Sequence, residues 1–298
     1  MNKLLVVVGP TAVGKTRLGI DLARKFNGEI ISGDSMQIYR HLDIGTAKAT
    51  HEEQQLAQHH LIDIREVSEG FSAFDFVHLA QNAIEEIRQR GKLPIIVGGT
   101  GLYIQALLEG YHLGGGDHHE SIQARQRALE ESNQTDLELK VKLEALEVAK
   151  TTDLSANNRR RLARRIALLE SGISSVNQSV THDVLLLGLN TNRDLLYQRI
   201  NQRVDWMLEN GLLDEALWLK TNYSDTQASK AIGYKELFPY FAGDLALEEA
   251  VELIKRNSRR YAKRQLTWFR NRMNVKFWDL ICDEGAQENL EHEVEKWL

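Results

Sequence analysis

The sequence contains few of the residues that usually cross-link or interrupt a fold. Cys282 is the only cysteine among 298 residues, so no intramolecular disulfide forms and a zinc site built from cysteines is excluded. Only three prolines occur, which favours uninterrupted helices. The longest apolar runs, such as Leu4 to Val8, are far shorter than the roughly 20 residues that cross a bilayer. These scarcities argue against a disulfide-stabilised secreted domain and against a membrane-spanning protein.

The overall charge is mildly acidic and unevenly distributed. The composition is that of an ordinary soluble protein, with 42% hydrophobic residues and a formal net charge of −5, which argues against a generic nucleic-acid coat protein. However, Lys255 to Arg272 carries eight basic residues and no carboxylate, whereas Asp279 to Glu295 is strongly acidic. The segment that follows Met1 is strand-like and does not have the pattern of a signal peptide. We therefore expect a cytoplasmic protein. Nothing in the sequence demands more than a monomer.

Strand-like and helical segments alternate along much of the chain. Four apolar runs predict buried strands: Leu4–Val8, Glu29–Ser32, Leu93–Val97 and Val184–Leu189. Helical patterns at Thr16 to Phe26 and Phe74 to Arg90 separate the first three, and strands that alternate with helices imply a parallel sheet. Residues 113–188 are predicted to form a mainly helical insertion domain, and the chain after Asn192 is predicted to be almost entirely helical.

One motif indicates a specific chemistry. Residues 9–16, GPTAVGKT, match the pattern GxxxxGK[ST] between a predicted strand and a predicted helix. The backbone N–H groups of such a loop converge on phosphate oxygens, and the helix N-terminus adds positive potential. Lys15 supplies a full charge, and the Thr16 hydroxyl can ligate Mg²⁺. The sequence therefore predicts a diphosphate site in a P-loop NTPase-like α/β core, formed by residues 1–112 and 189–298.

The motif does not specify what the diphosphate is attached to. The segment Asn190 to Asp194 lacks the lysine of the base-reading motif NKxD, so a GTPase is set aside. Asp34 follows a predicted strand and should face the phosphate site, because ligands gather at the carboxyl edge of such sheets. Its carboxylate either accepts a proton, caps a helix or holds the metal through water. Thr100, at the tip of another predicted strand, is either a donor to a leaving-group oxygen or a plain turn residue.

Two basic segments point to RNA. Residues 159–165 contain five arginines, and Lys255 to Arg272 interleaves basic residues with Tyr261 and Trp268. Cationic side chains bind phosphates, while aromatic rings stack on unpaired bases. Helical spacing places four cations on one face of this helix: Arg256, Arg260, Lys263 and Arg264. Part of the other face is left for the hydrophobic core. A basic helix is more often a solvated face, but a second arginine cluster in an otherwise acidic protein favours RNA here.

With these segments in place, the sequence resembles the tRNA dimethylallyltransferase family. The resemblance extends over nearly the whole chain, and it rests on the motifs at residues 9–16, 33–48, 59–64, 97–103, 231–236 and 260–270. The resemblance implies that dimethylallyl diphosphate, rather than ATP, occupies the phosphate loop. It further implies that the five-carbon group is transferred to N6 of the adenosine 3′-adjacent to the anticodon, with release of diphosphate. The resemblance also implies Mg²⁺ as the cofactor and tRNA as the partner.

The resemblance also assigns residues to roles. Asp34 matches the family's general base, and Thr100 matches the residue that contacts the bridging oxygen. The implied diphosphate-binding residues are Gly9, Pro10, Thr11, Ala12, Val13, Gly14, Lys15, Thr16 and Arg203. Thr16 is also the implied metal ligand. The implied tRNA contacts are Asp34, Ser35, Met36, Gln37, Arg160, Arg161, Arg164, Lys230, Gly233, Tyr234, Lys235, Arg259, Lys263, Arg264 and Gln265. Relatives carry an arginine of a VRxxL pattern in the insertion; here either Arg125 replaces it after a shift, or that contact is absent.

Two other function classes remain open at the level of sequence. A P-loop kinase acting on a small hydroxylated or nucleoside substrate would explain the phosphate loop, with Asp34 as the base, but leaves both arginine-rich segments without a role. An RNA-binding ATP switch would explain the basic segments but does not need Asp34 at the sheet edge. Transfer of a prenyl group to RNA without ATP distinguishes the first hypothesis from both alternatives.

Overall fold

A six-stranded parallel sheet organises the protein. The structure, a computed structural model, describes residues 2–111, 113, 119–146, 159–171 and 182–298. The strands are β1 (Lys3–Val8), β2 (Gly28–Ser32), β3 (His59–His60), β4 (Leu93–Gly98), β5 (Asp183–Leu189) and β6 (Lys276–Trp278). They pair in the order β3-β2-β4-β1-β5-β6, and every pairing is parallel. With the phosphate loop directly after β1, this is a P-loop NTPase-like fold.

Most of the helices belong to the same compact unit as the sheet. The chain divides into one unit of residues 1–107 and 181–298 and another of residues 108–180. Apart from a 3₁₀ turn at Ala228–Lys230, the helices that begin in the first unit are α1 (Lys15–Lys25), α2 (His51–Leu56), α3 (Ala73–Gln89), α4 (Gly101–Leu108), α8 (Arg193–Glu209), α9 (Leu212–Tyr223), α10 (Phe238–Ala242), α11 (Leu247–Arg272) and α12 (Ala286–Trp297).

The second unit is a small helical body with its own core. Its described helices are α5 (His119–Glu130), α6 (Asp136–Leu146) and α7 (Arg159–Glu170). Their apolar side chains pack together, with Leu139, Leu162 and Ile166 fully or almost fully buried. Arg125 forms a two-pronged ion pair with Glu170, at 2.6 and 3.1 Å. This guanidinium therefore stabilises the packing of α5 against α7.

The core of the first unit forms around β1. Its residues Leu4 to Val8 are completely buried, because β1 lies between β4 and β5 and helices cover both faces of a parallel sheet. Leu18 and Leu22 of α1 pack into the same cluster as Leu5 and Val7. A buried parallel strand needs apolar residues on both faces, which explains the unbroken hydrophobic run in the sequence.

The sequence predicted the fold class and the four long strands correctly, but it missed β3 and β6. These strands have two and three residues, too few for a recognisable alternation pattern. The predicted insertion boundary at residue 188 is wrong, because it cuts through β5. That strand pairs with β1 from Lys3 to Val8 and therefore belongs to the sheet, and the division between the units falls at residue 180.

The long basic helix α11 has a cationic face and a buried face. Four cations are exposed, as predicted: Arg256, Arg260, Lys263 and Arg264. Ile254, Gln265 and Phe269 are buried on the other side. Among the described residues, no helix combines the length and the apolar character needed to span a membrane.

Candidate active site

Three loops meet at the carboxyl edge of the sheet. They follow β1, β4 and β2, which are neighbouring strands. The Gly33 N–H donates to the Val97 carbonyl at 2.8 Å, and the Thr100 N–H donates to the Gly33 carbonyl at 3.2 Å. These bonds hold the loop that carries Asp34 against the loop that carries Thr100. Residues far apart in sequence therefore share one edge, where ligands of such sheets bind.

The phosphate loop is anchored through its carbonyl groups. The Lys15 Nζ donates to the Pro10 carbonyl at 2.7 Å, and the Arg199 Nε donates to the Ala12 carbonyl at 2.9 Å. Gly14 has a φ of 106° immediately before α1, a left-handed conformation that strongly favours glycine. With cations on these carbonyls and a helix N-terminus alongside, the loop is suited to an anion.

A cavity of about 330 Å³ opens beside this loop, a size within the range of small-molecule sites. Its polar lining includes Lys15, Thr16, Asp34 and Arg203. Its apolar lining includes Ile200, Val204, Met207, Ile232 and Ile254. The lining therefore combines cations that suit a diphosphate with an apolar surface that suits a short hydrocarbon group.

Asp34 occupies a desolvated position in this cavity. Burial raises the pKa of its carboxyl above the ordinary value, while the N–H groups of Met36 and Gln37 and the charge of Lys15 act in the opposite direction. The Met36 N–H donates to Asp34 Oδ1 at 2.8 Å, which fixes the orientation of the carboxylate. A carboxylate with a raised pKa is a stronger base than an exposed one, so Asp34 has the character that proton abstraction requires.

The cations of the cavity are also perturbed. Burial lowers the pKa of Lys15 to about 8, with Arg203 adding to this effect and Asp34 opposing it. Burial and the neighbouring Arg199 likewise lower the pKa of Arg203. Positive groups held together in a desolvated cavity destabilise one another until an anion binds. The electrostatics of the cavity therefore favour a multiply charged anion.

Thr100 links the Asp34 loop to α11. Its Oγ accepts a hydrogen bond from the Ser35 N–H at 3.1 Å, and its side chain lowers the pKa of the Tyr261 hydroxyl of α11. Tyr261 lines the cavity, and burial raises the pKa of its hydroxyl. The sequence indicated Tyr261 only as a helix-face aromatic, because its spacing does not show which loop its hydroxyl meets.

Many of the residues expected at the site line this one cavity. They are Thr11, Ala12, Lys15, Thr16, Asp34, Ser35, Met36, Gln37, Arg203, Lys230, Gly233, Arg264 and Gln265. Gly9, Pro10, Val13 and Gly14 complete the phosphate loop around it. Lys235 and Lys263 are exposed, as a contact with RNA phosphates would require.

Two residues expected to contact RNA have hydrogen-bond partners within the protein. Tyr234 is completely buried, and its hydroxyl donates to Glu215 Oε1 at 2.7 Å, so its side chain offers no surface to RNA. The Arg259 Nη1 donates to Asn201 Oδ1 at 2.6 Å. A basic or aromatic residue in a motif thus need not face the ligand, because the sequence alone does not show which side of its element is buried.

Glu215, which the sequence did not indicate, organises one wall of the cavity. Its carboxylate accepts hydrogen bonds from three consecutive N–H groups, those of Asp43, Ile44 and Gly45, at 2.7, 2.9 and 2.8 Å. Together with the Tyr234 hydroxyl, these donors compensate the charge of the carboxylate. Gly45 itself lines the cavity, so Glu215 fixes a loop that shapes the site.

The expected arginines of α7 belong to the unit of residues 108–180. Arg160 and Arg161 are exposed, whereas Arg164 is half-buried and donates to the Leu113 carbonyl. Arg125, which was considered as a replacement for the arginine of the VRxxL pattern, forms an ion pair with Glu170. Of the three expected arginines of α7, Arg160 and Arg161 are therefore the exposed ones.

Comparison with known proteins identifies the family. A model of the IPP transferase family matches residues 37–272. A tRNA dimethylallyltransferase of Streptococcus mutans is 60% identical over 297 residues, which cover 100% of this chain and 99% of that protein. The crystal structure of a tRNA isopentenylpyrophosphate transferase from Bacillus halodurans has a TM-score of 0.74 at 43% identity and covers 100% of this chain and 97% of that one. A eukaryotic dimethylallyltransferase acting on tRNA has a TM-score of 0.79 at 29% identity, covering 97% of this chain and 77% of that one. The chain is therefore a member of the IPP transferase family.

Proposed function

We propose that this protein transfers the dimethylallyl group of dimethylallyl diphosphate to N6 of the adenosine 3′-adjacent to the anticodon of tRNA and releases diphosphate. The observation that carries the proposal is a single cavity lined by the phosphate loop, by Asp34 and by apolar side chains. The phosphate loop thus suits the diphosphate, the Asp34 carboxylate suits the proton that the acceptor nitrogen loses, and the apolar side chains suit the hydrocarbon group. The names of the relatives support the same reaction.

The lining residues account for each bond change. The N6 lone pair forms a bond to C1 of the dimethylallyl group, and the C1–O bond breaks so that its electron pair leaves with the diphosphate. Lys15, Arg203 and the loop N–H groups stabilise the charge that grows on the leaving group. The proton that N6 loses passes to the Asp34 carboxylate, which is useful because an adenine amino group is a poor nucleophile.

Thr100 would assist this bond cleavage from the neighbouring loop. Its Oγ is already oriented by the Ser35 N–H, which leaves the hydroxyl proton available for a donor role. We propose that this proton is shared with the bridging oxygen of the donor when the substrates are bound. The developing charge on that oxygen is then stabilised at the position where the bond breaks.

Mg²⁺ fits this site as an ion held mainly by the substrate. Among the described residues, no group of three or more His, Cys, Asp or Glu side chains could hold a metal ion. Proteins commonly bind Mg²⁺ through one or two oxygen ligands together with substrate phosphates, and the Thr16 hydroxyl is available in the cavity. We propose Thr16 as the protein ligand. When bound, Mg²⁺ would neutralise charge on the diphosphate leaving group.

The RNA is proposed to bind through the exposed cations and the mouth of the cavity. Arg264 lines the cavity and belongs to the exposed cationic face of α11, so it can contact the RNA close to the reacting base. The target adenine must leave its stack, at a cost of a few kcal/mol that an unpaired anticodon-loop base partly avoids. Since the cavity is formed by one chain and the substrate is tRNA, we propose a monomer that acts in the cytoplasm.

A direct assay tests the proposal. The protein is incubated with unmodified tRNA, Mg²⁺ and dimethylallyl diphosphate labelled in its hydrocarbon part, without ATP. Label in the RNA, located at the adenosine next to the anticodon, is the expected result. A parallel reaction with ATP labelled at its terminal phosphate serves as the control. Label transferred from ATP, with none transferred from the prenyl donor, would establish the kinase alternative instead.

A further inference from the structure

Gln265, which is expected to contact RNA, is enclosed between two loops of the site. It is only 5% exposed. Its Oε1 accepts from the Thr11 N–H at 3.0 Å, and its Nε2 donates to the Gly99 carbonyl at 3.0 Å. Because one partner is a donor and the other an acceptor, these bonds require a side-chain amide in one orientation. Gln265 thus bridges the phosphate loop and the loop after β4.

The bond to Thr11 also determines how Lys15 is held. The Pro10–Thr11 peptide is trans, so its carbonyl and its N–H point in opposite directions. Its N–H donates to Gln265, while its carbonyl accepts from Lys15 Nζ at 2.7 Å. Rotation of this peptide plane would break both bonds together. Gln265 therefore stabilises the peptide orientation that places the Lys15 ammonium in the cavity.

The bond to Gly99 connects this peptide to the other reacting groups. A Cβ on Gly99 would lie 2.2 Å from the Gln265 Nε2, so any larger residue there would displace the amide from the position in which it bridges the two loops. Thr100 follows directly, and the side chains of Thr100 and Gln265 both act on the Tyr261 hydroxyl, where they lower its pKa against the effect of burial. Tyr261 and Gln265 are four residues apart on α11 and therefore lie on the same side of the helix.

We propose that Gln265 is a positioning residue for the leaving group. It fixes the Pro10–Thr11 peptide, and through it Lys15, relative to the Gly99–Thr100 loop, so that the diphosphate meets a preorganised set of donors. The identity of the prenyl donor rests on the proposed function. The binding of a diphosphate unit can be measured without any transfer, using inorganic pyrophosphate as the probe.

The first test removes both hydrogen bonds while keeping the side-chain length. In Gln265→Met, the Thr11 N–H and the Gly99 carbonyl lose their partners, and we expect pyrophosphate to bind about tenfold more weakly at a fixed Mg²⁺ concentration. Thr267→Val is the matched control, because Thr267 is exposed on the same helix and its hydroxyl bonds only within the helix, to the Lys263 carbonyl. Calorimetric titration of the full-length proteins gives the affinities, and thermal unfolding checks their integrity.

The second test uses pH to restore the bridge. In Gln265→Glu, an ionised carboxylate would face the Gly99 carbonyl and repel it. A protonated carboxyl, in contrast, accepts from the Thr11 N–H and donates to the Gly99 carbonyl, and burial raises the pKa of such a group. The ratio of the pyrophosphate dissociation constants of Gln265→Glu and wild type should therefore fall towards one as the pH is lowered. Ionisation of the probe affects both proteins equally and cancels in the ratio.

Either of two results would overturn the inference. One is a folded Gln265→Met variant that binds pyrophosphate as tightly as the wild type. The other is a Gln265→Glu ratio that does not change with pH, as expected if the residue merely fills space. If Gln265→Met fails to fold, the pH series decides. Failure of the proposed function is distinct, because it would appear as absence of prenyl transfer by the wild type whatever the pyrophosphate affinities are.

Discussion

The lowered pKa of Lys15 makes the affinity for the leaving group depend on pH near neutrality. Only the ammonium form pairs with a phosphate oxygen. With a pKa of about 8 in the free protein, Lys15 is about 90% protonated at about pH 7 but only about 10% protonated at about pH 9. Affinity for pyrophosphate should therefore fall by about tenfold over this range, because the free energy of binding must include protonation of the amine.

The sign of this effect follows from the direction of the shift. Burial disfavours the charged amine in the empty cavity, and an anion that binds beside it favours the charged form again. Binding should therefore raise the pKa of Lys15 and take up a proton from solution, amounting to about half a proton per site at about pH 8. Calorimetric titrations in buffers with different ionisation enthalpies measure this uptake directly.

Lys15→Arg is the matched control for the pH series. A guanidinium stays protonated throughout this range, so the variant should show no amine titration even if its affinity is lower at every pH. The ionisation of pyrophosphate is common to both proteins and cancels when their dissociation constants are divided. A ratio that stays constant from about pH 7 to about pH 9 would refute the reasoning, since it would mean that Lys15 remains charged in the free cavity.

Three further substitutions test other parts of the structure. Asp34→Asn should lower the single-turnover rate by about 10²- to 10⁴-fold while leaving RNA affinity largely intact; weakened RNA binding with normal chemistry would make Asp34 a contact residue. Arg264→Ala should weaken tRNA binding and reduce the slope of log affinity against log salt by about 0.7 to 0.9, measured by filter binding; an unchanged slope would argue against a phosphate contact. Glu215→Gln should lower the free energy of unfolding by about 1–3 kcal/mol, because an amide group would face backbone donors, whereas Glu248→Gln at an exposed position should change it by less than about 0.5 kcal/mol. Equal effects in denaturant titrations would contradict the role given to Glu215.

The fold and the centre of the site were predictable because they depend on local patterns. The buried run Leu4 to Val8 and the following GxxxxGK[ST] motif predict a strand, a loop and a helix from adjacent residues. The placement of Asp34 at the same edge as this loop follows from the carboxyl-edge rule for parallel sheets. The two shortest strands carried no comparable pattern.

The remainder depends on tertiary contacts that spacing does not encode. Gln265 and Tyr234 lie in segments with the right composition for an RNA surface, yet each side chain is buried against other parts of the protein. Arg199 and Glu215 act through backbone groups of distant loops, at Ala12 and at residues 43–45. Almost every residue carries both a backbone carbonyl and a backbone N–H group, whatever its side chain. The sequence therefore does not show which backbone groups Arg199 and Glu215 bind.

The division of the chain into two units has a consequence for how the sequence can diversify. As far as the structure describes them, all residues lining the cavity come from outside the stretch 108–180. The described residues of that stretch are therefore not subject to the stereochemical demands that a pyrophosphate-binding pocket imposes on glycine, lysine and threonine. Substitutions at those residues would leave the lining of the cavity in place, even where they change how the protein discriminates among RNAs.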